Sequence, residues 1–293
     1  MSIRNAVLLA TLAVASGCAS TSANRKPDTF QARKQLAREL IARQDWREAF
    51  FYADQLHRER PKDAEVLVLR GTVYREQGMA TEAEADLREA LARQGNLAEA
   101  HAALGLLLDG NGRGKEGEEH HRKASALAPE NPAYLNNLGF SLFLRGKHAE
   151  AIKTYQQAAR LDPTNRRIRT NLGFAYAASG DWPRAAKEFE RGGMTPAQAK
   201  NNLGFAYERK GDLGTAYGLY VEAIHLDPKC GPARANLGAV AAKLGRALPE
   251  DLPPAELVDS RIGAVPQPPL PPAGDQGGKE PEPARGMTQR NQP

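Results

Sequence analysis

Asn137-Leu138-Gly139-Phe140, Asn171-Leu172-Gly173-Phe174 and Asn202-Leu203-Gly204-Phe205 spell one tetrapeptide three times, and Asn236-Leu237-Gly238 repeats its first three residues. The spacings are 34, 31 and 34 residues. Upstream, Leu104-Gly105 lies 34 residues before Leu138-Gly139, and Gly71 lies 34 before Gly105. A second register runs seven residues behind the first: Gly78, Gly112, Gly146, Gly180, Gly211 and Gly245. Small residues follow at Ala83, Gly117, Ala151, Ala185 and Ala216, and Pro129, Pro163 and Pro228 close three of the periods. Each period therefore reads as helix, tight turn, helix, loop. The Leu-Gly glycine lets two helices approach, the next glycine supplies a left-handed helix end, and the proline stops a helix it cannot continue. One such unit cannot bury its apolar face alone, whereas stacked neighbours can.

Recurrence at fixed offsets through most of the chain resembles the tetratricopeptide repeat family. The resemblance implies an all-α, right-handed superhelical solenoid over residues 30–245. Six helical hairpins are assigned to units 30–63, 64–97, 98–131, 132–165, 166–196 and 197–230, with a capping helix at 231–244. In the cap, Ala233, Leu237 and Val240 are expected to cover the preceding pair while Arg234 and Lys243 face solvent. The third unit, with Asp109-Gly110-Asn111-Gly112-Arg113-Gly114 at its turn and Gly117 in place of Ala, is expected to be loose, since a helical Gly costs about 1 kcal/mol relative to Ala. The fifth unit is three residues short and ends in Arg191-Gly192-Gly193-Met194-Thr195-Pro196, which predicts a local change of pitch.

Both ends differ from the array. Arg4 followed by the apolar run Ala6–Ala15 reads as a signal peptide over residues 1–17, too short to span a bilayer. Ala15-Ser16-Gly17-Cys18 resembles the bacterial lipobox, which implies acylation of Cys18 and, with Ala19 next, an outer-membrane address on the periplasmic face. Residues 18–29 read as a flexible tether. Eleven of the chain's twenty prolines lie beyond residue 248, so 246–293 reads as a Pro-rich disordered tail, either inert or a polyproline ligand. The second cysteine, Cys230, has no partner once Cys18 is acylated, so no intramolecular disulfide is expected.

The residues point to binding and away from catalysis. A net charge of +5 on 293 residues, with acids and bases alternating along the helices, gives no basic stripe for nucleic acid. Only His120-His121 are clustered among six histidines, and adjacent helical residues point different ways, so no metal site is expected. No phosphate-binding loop, catalytic set, cofactor or small-molecule substrate is indicated. In the resembled family the first helix of each unit lines the inner groove. Asn137, Asn171, Asn202 and Asn236 would there either pair with the backbone of an extended peptide or brace the neighbouring helix. Phe140, Phe174 and Phe205 share one face, as inter-repeat packing or as an exposed apolar strip, with Arg167 and Arg209 among the polar residues around it.

A narrower resemblance joins the lipobox, the six-unit array and Thr195-Pro196-Ala197-Gln198-Ala199 ahead of Asn202-Leu203-Gly204. Together these look like the pilus-assembly lipoproteins of tight-adherence and type IV pilus systems. The resemblance implies a protein-binding adaptor for an envelope machine, anchored through Cys18. A structural module in outer-membrane or cell-wall biogenesis, and a regulatory subunit of an envelope enzyme, remain the alternatives.

Overall fold

The computed structural model describes residues 29–254, and every element in that span is an α-helix. The signal segment, Cys18, most of the tether and the tail beyond 254 lie outside the described residues. Six hairpins follow one another: α1 (Thr29–Ala42) with α2 (Trp46–Glu59), α3 (Ala64–Glu76) with α4 (Ala80–Arg93), and α5 (Ala98–Gly110) with α6 (Gly114–Leu127). Then come α7 (Pro132–Leu144) with α8 (His148–Leu161), α9 (Arg166–Ser179) with α10 (Trp182–Arg191), and α11 (Pro196–Arg209) with α12 (Leu213–Leu226). A single helix, α13 (Gly231–Leu244), closes the stack. The all-α repeat solenoid expected from the periodicity is what the chain forms.

Local chemistry sets the boundaries. Asp63, Asn131, Asn165, Asp181 and Asp212 each accept a backbone N–H of the helix they precede, and Thr195 with Gln198 makes a reciprocal capping box. Prolines occupy the first turn of α7, α10, α11 and α13, where no N–H is needed. At the opposite ends, the six glycines of the second register all have positive φ, from 61° at Gly245 to 87° at Gly180. The first hairpin places Gln44 at this point, at φ 62°, the one non-glycine residue with positive φ among those described.

Packing within each hairpin follows a further register, sixteen residues beyond the Leu-Gly glycine. A Cβ added to Gly71, Gly105, Gly139, Gly173 or Gly204 would meet, respectively, Leu87, His121, Tyr155, Phe189 or Tyr220 at 2.5–2.9 Å. All five of these second-helix side chains are fully buried. The small residue is thus a seat for a large one on the facing helix. Between hairpins, the odd-numbered helices contact the next odd-numbered ones along the whole array, whereas no two even-numbered helices do. The layer of first helices is the more tightly spaced, so it forms the inner, concave side of the stack.

The third hairpin is not loose. His121 fills its seat, and its Nε2 lies 3.2 Å from Asp109 Oδ2 while Ser141 Oγ donates to Asp109 Oδ1 at 3.1 Å. Asp109 occupies the space where the other hairpins have an alanine methyl: a Cβ on Gly117 would fall 2.3 Å from Asp109 Oδ1. Gly117 is therefore required by its neighbour. In the fifth hairpin α10 has 10 residues against 14 in α8 and α12, which is where the missing residues are lost. Two acids of the alternating charge pattern, Glu118 and Glu188, are buried and bonded to cations: Glu118 to Arg122, Arg145 and Lys147, Glu188 to Arg169 and Arg191.

The carboxy-terminal end is longer than its composition suggests. Ala233, Leu237 and Val240 are buried against Tyr217 and Tyr220, as expected of the cap. The proline-rich segment expected to be disordered from 246 onward packs on α12 and α13 as far as 254. Tyr217 Oη donates to the Ala247 carbonyl at 2.8 Å, Arg234 donates to the Pro253 carbonyl at 2.5 Å, and Leu252 joins the last apolar cluster. Arg234, expected to face solvent, is the side chain that holds this segment. Burial raises the thiol pKa of Cys230, which is 7% exposed at the start of α13, and marks it as a packing residue.

Candidate functional site

On the inner layer, α7, α9 and α11 present the same faces side by side. Phe140, Phe174 and Phe205 stand one above the other, and the residues four further along each helix are Leu144, Ala178 and Arg209. These six, with Phe143, His148, Asn171, Ala206, Lys210 and the edge of Tyr155, line a cleft of about 370 Å³. The Phe174 ring meets Phe205 edge-on at 6.2 Å and Phe189 at 5.1 Å. Phe140 and Phe174 pack their inner sides on the central apolar cluster while remaining half-buried. Phe140 and Phe174 are thus core on one side and cleft wall on the other, and Phe205 lines the cleft beside Phe174.

Asparagines of the repeated motif divide by role. Asn171 Nδ2 donates to Asn136 Oδ1 at 2.9 Å, and Asn236 Nδ2 donates to Asn201 Oδ1 at 3.0 Å, each reaching back to the preceding hairpin. Two rungs of the ladder thus brace neighbouring first helices. Asn202 donates to the Met194 sulfur at 3.2 Å, and Asn137 is half-buried. Asn171 is the one ladder residue in the cleft wall; Asn137, Asn202, Asn236 and Arg167 do not line it. The partners sit one residue ahead of the ladder in the preceding unit, Asn136 before Asn137 and Asn201 before Asn202.

Charge in the cleft is one-signed. Arg209 and Lys210 are exposed on its rim, and no Asp or Glu among the described residues lines it. Lys210 Nζ sits 5.1 Å from the centroid of the Trp182 ring, which stacks on Tyr207 at 3.6 Å and 12°. Burial, and then the Lys210 charge, hold His148 below the ordinary imidazole range, so this wall residue is neutral near pH 7. Its Nδ1 is buried without a hydrogen-bond partner among the described residues. Sequence reasoning missed Phe143, Leu144, His148, Ala178 and Lys210; the four-residue offset from the phenylalanines would have found Leu144 and Ala178.

Among the described residues no helix is long and apolar enough to cross a membrane, and no group of three or more potential metal ligands occurs. Two family models match the chain: a TPR repeat over residues 141–180 and a tetratricopeptide repeat over 64–96. No curated protein matches it in sequence. Among solved structures, PilW, described as a widely conserved type IV pilus biogenesis factor, is 20% identical with a TM-score of 0.59, over 72% of this chain and 99% of that one. PilF of Pseudomonas aeruginosa is likewise 20% identical, with a TM-score of 0.57 over 73% of this chain and 97% of that one. YrrB, titled a TPR protein with an unusual peptide-binding site, is 22% identical with a TM-score of 0.50 over 62% and 96%. Repeat motif, seat register, layer packing and family models agree: the chain is built of tetratricopeptide repeats, stacked as an all-α solenoid.

Proposed function

We propose that this protein is a non-catalytic adaptor of the bacterial envelope that holds a partner protein segment in its inner groove. The observation that carries the reading is the cleft of α7, α9 and α11, an apolar wall presented in register by three successive hairpins. Repeat scaffolds of this fold act through such surfaces. Anchoring through an acylated Cys18 at the periplasmic face of the outer membrane, and service to a pilus or secretion machine, complete the proposal. Its support is the lipobox-like Ala15-Ser16-Gly17-Cys18 and the likeness in fold to PilW and PilF.

Affinity capture of the full chain from detergent-solubilised membranes tests it, with wild type compared with Ala178→Trp. Ala178 is half-buried in the cleft wall, so the indole fills the cleft without removing a core contact. The expected result is loss of a defined set of envelope partners in the variant at unchanged helix content. Identical capture by both chains would exclude the groove. Separately, Cys18→Ser is expected to release the protein from sedimented outer membrane, and retention there would refute the anchor.

A further inference from the structure

We infer that the cleft recognises a short linear segment in which a large apolar side chain, aromatic or leucine-like, is followed within a few residues by a carboxylate. This deepens the proposed function and rests on its reading of the cleft as a protein-binding groove. The apolar half comes from Phe140, Phe174 and Phe205, whose outer sides converge on a space of about 370 Å³, at the lower end of the roughly 300–1,000 Å³ of small-ligand pockets. A space that size takes one or two side chains, which fits an anchor residue and excludes a folded domain.

The charged half comes from Arg209, one turn beyond Phe205 at the end of α11, and from Lys210 directly after it. Among the described residues Arg209 has no ion-pair partner, and Lys210 meets no acid and lies over the Trp182 ring. The one acid next to them in sequence, Glu208, is committed elsewhere: it accepts from Tyr220 Oη at 2.9 Å and from Lys243 Nζ at 2.7 Å. His148 adds no charge near neutral pH because burial disfavours its protonation. Two fixed cations facing an apolar cleft without a carboxylate of their own make an incoming acid complementary and an incoming lysine repelled. A free guanidinium further offers paired donors that match a carboxylate.

A random dodecapeptide display library panned on the full chain in detergent is the test. Three targets run in parallel: wild type, Ala178→Trp and the double reversal Arg209→Glu with Lys210→Glu. Binders lost on Ala178→Trp are expected to carry Asp or Glu within three residues of Phe, Trp or Leu at least fivefold more often than Lys or Arg. The reversed chain is expected to invert that ratio. Groove-dependent binders with no acidic bias, or a bias untouched by the reversal, would overturn the inference while leaving the groove intact. Acidic binders that survive Ala178→Trp, or no binders at all, would overturn the inference and the groove reading together.

Discussion

The seat register makes one chemical change act in opposite directions at two glycines. Gly173 lies in α9 and Gly218 in α12, both inside helices, where Gly→Ala alone gains about 0.8–1 kcal/mol in helix propensity. At Gly218 a Cβ meets nothing within 4 Å, so the full gain is expected. At Gly173 it would lie 2.5 Å from Phe189 Cε1 and 2.7 Å from Cδ1, about 1 Å inside ordinary contact, against a ring that is 0% exposed. Overpacking of this kind costs about 1–3 kcal/mol, leaving Gly173→Ala between neutral and destabilised by roughly 2 kcal/mol. With a urea m-value of about 3 kcal/mol/M, the midpoints should move by about 0 to −0.7 M for Gly173→Ala and about +0.3 M for Gly218→Ala, followed by helix circular dichroism. In a Phe189→Ala background the penalty at Gly173 should vanish, which a double-mutant cycle reads directly. If Gly173→Ala stabilises as much as Gly218→Ala, the seat is not what holds the hairpins together.

Further outcomes follow from single contacts. Gln44→Gly should raise stability by about 1 kcal/mol in chemical denaturation, because it relieves the one left-handed non-glycine residue among those described. Asp109→Ala should lose about 2–4 kcal/mol, since Ser141 Oγ and the fully buried His121 Nε2 both lose their partner. Asn171→Ala should cost about 1–2 kcal/mol by orphaning Asn136 Oδ1, and Asn136→Ala in the same chain should restore part of it. Burial holds His120 at about 4, with His101 and Lys123 adding to the effect, whereas the unfolded chain takes up that proton near 6.5. Stability should therefore fall as pH drops from about 6.5 to about 4, and His120→Gln should flatten that part of the melting profile.

Much of this fold was legible because it is periodic. Glycines at a seven-residue offset announced the left-handed turns, and the Leu-Gly glycines announced close helix approach; backbone geometry restricted to small residues leaves its mark in sequence. Contacts between different hairpins were less legible. Asp109 and Gly117 read as defects because their compensation is mutual: the carboxylate fills the volume that the missing methyl vacates. The ordered run to 254 was hidden by its prolines, since what holds it is Tyr217 and Arg234, side chains far back in the chain. In the cleft, the phenylalanines were visible as a face, but Lys210 and His148 flank the register glycines Gly211 and Gly146 at positions where the repeat does not keep one residue type. The asparagine ladder was seen in full, yet its bracing partners, Asn136 and Asn201, become meaningful only once neighbouring first helices are stacked.

The central claim, that the inner face of α7, α9 and α11 is where a partner protein lies, is tested most directly by site-specific photo-crosslinking in intact cells. A photoreactive residue at Ala178 samples the cleft, and one at Lys153, exposed on α8 in the outer layer, serves as control. The account predicts a discrete high-mass protein adduct from position 178 and none from 153, with the adduct lost in the Arg209→Glu, Lys210→Glu chain. The same adduct from position 153, or no adduct from 178 under conditions where the protein is folded and abundant, would contradict it.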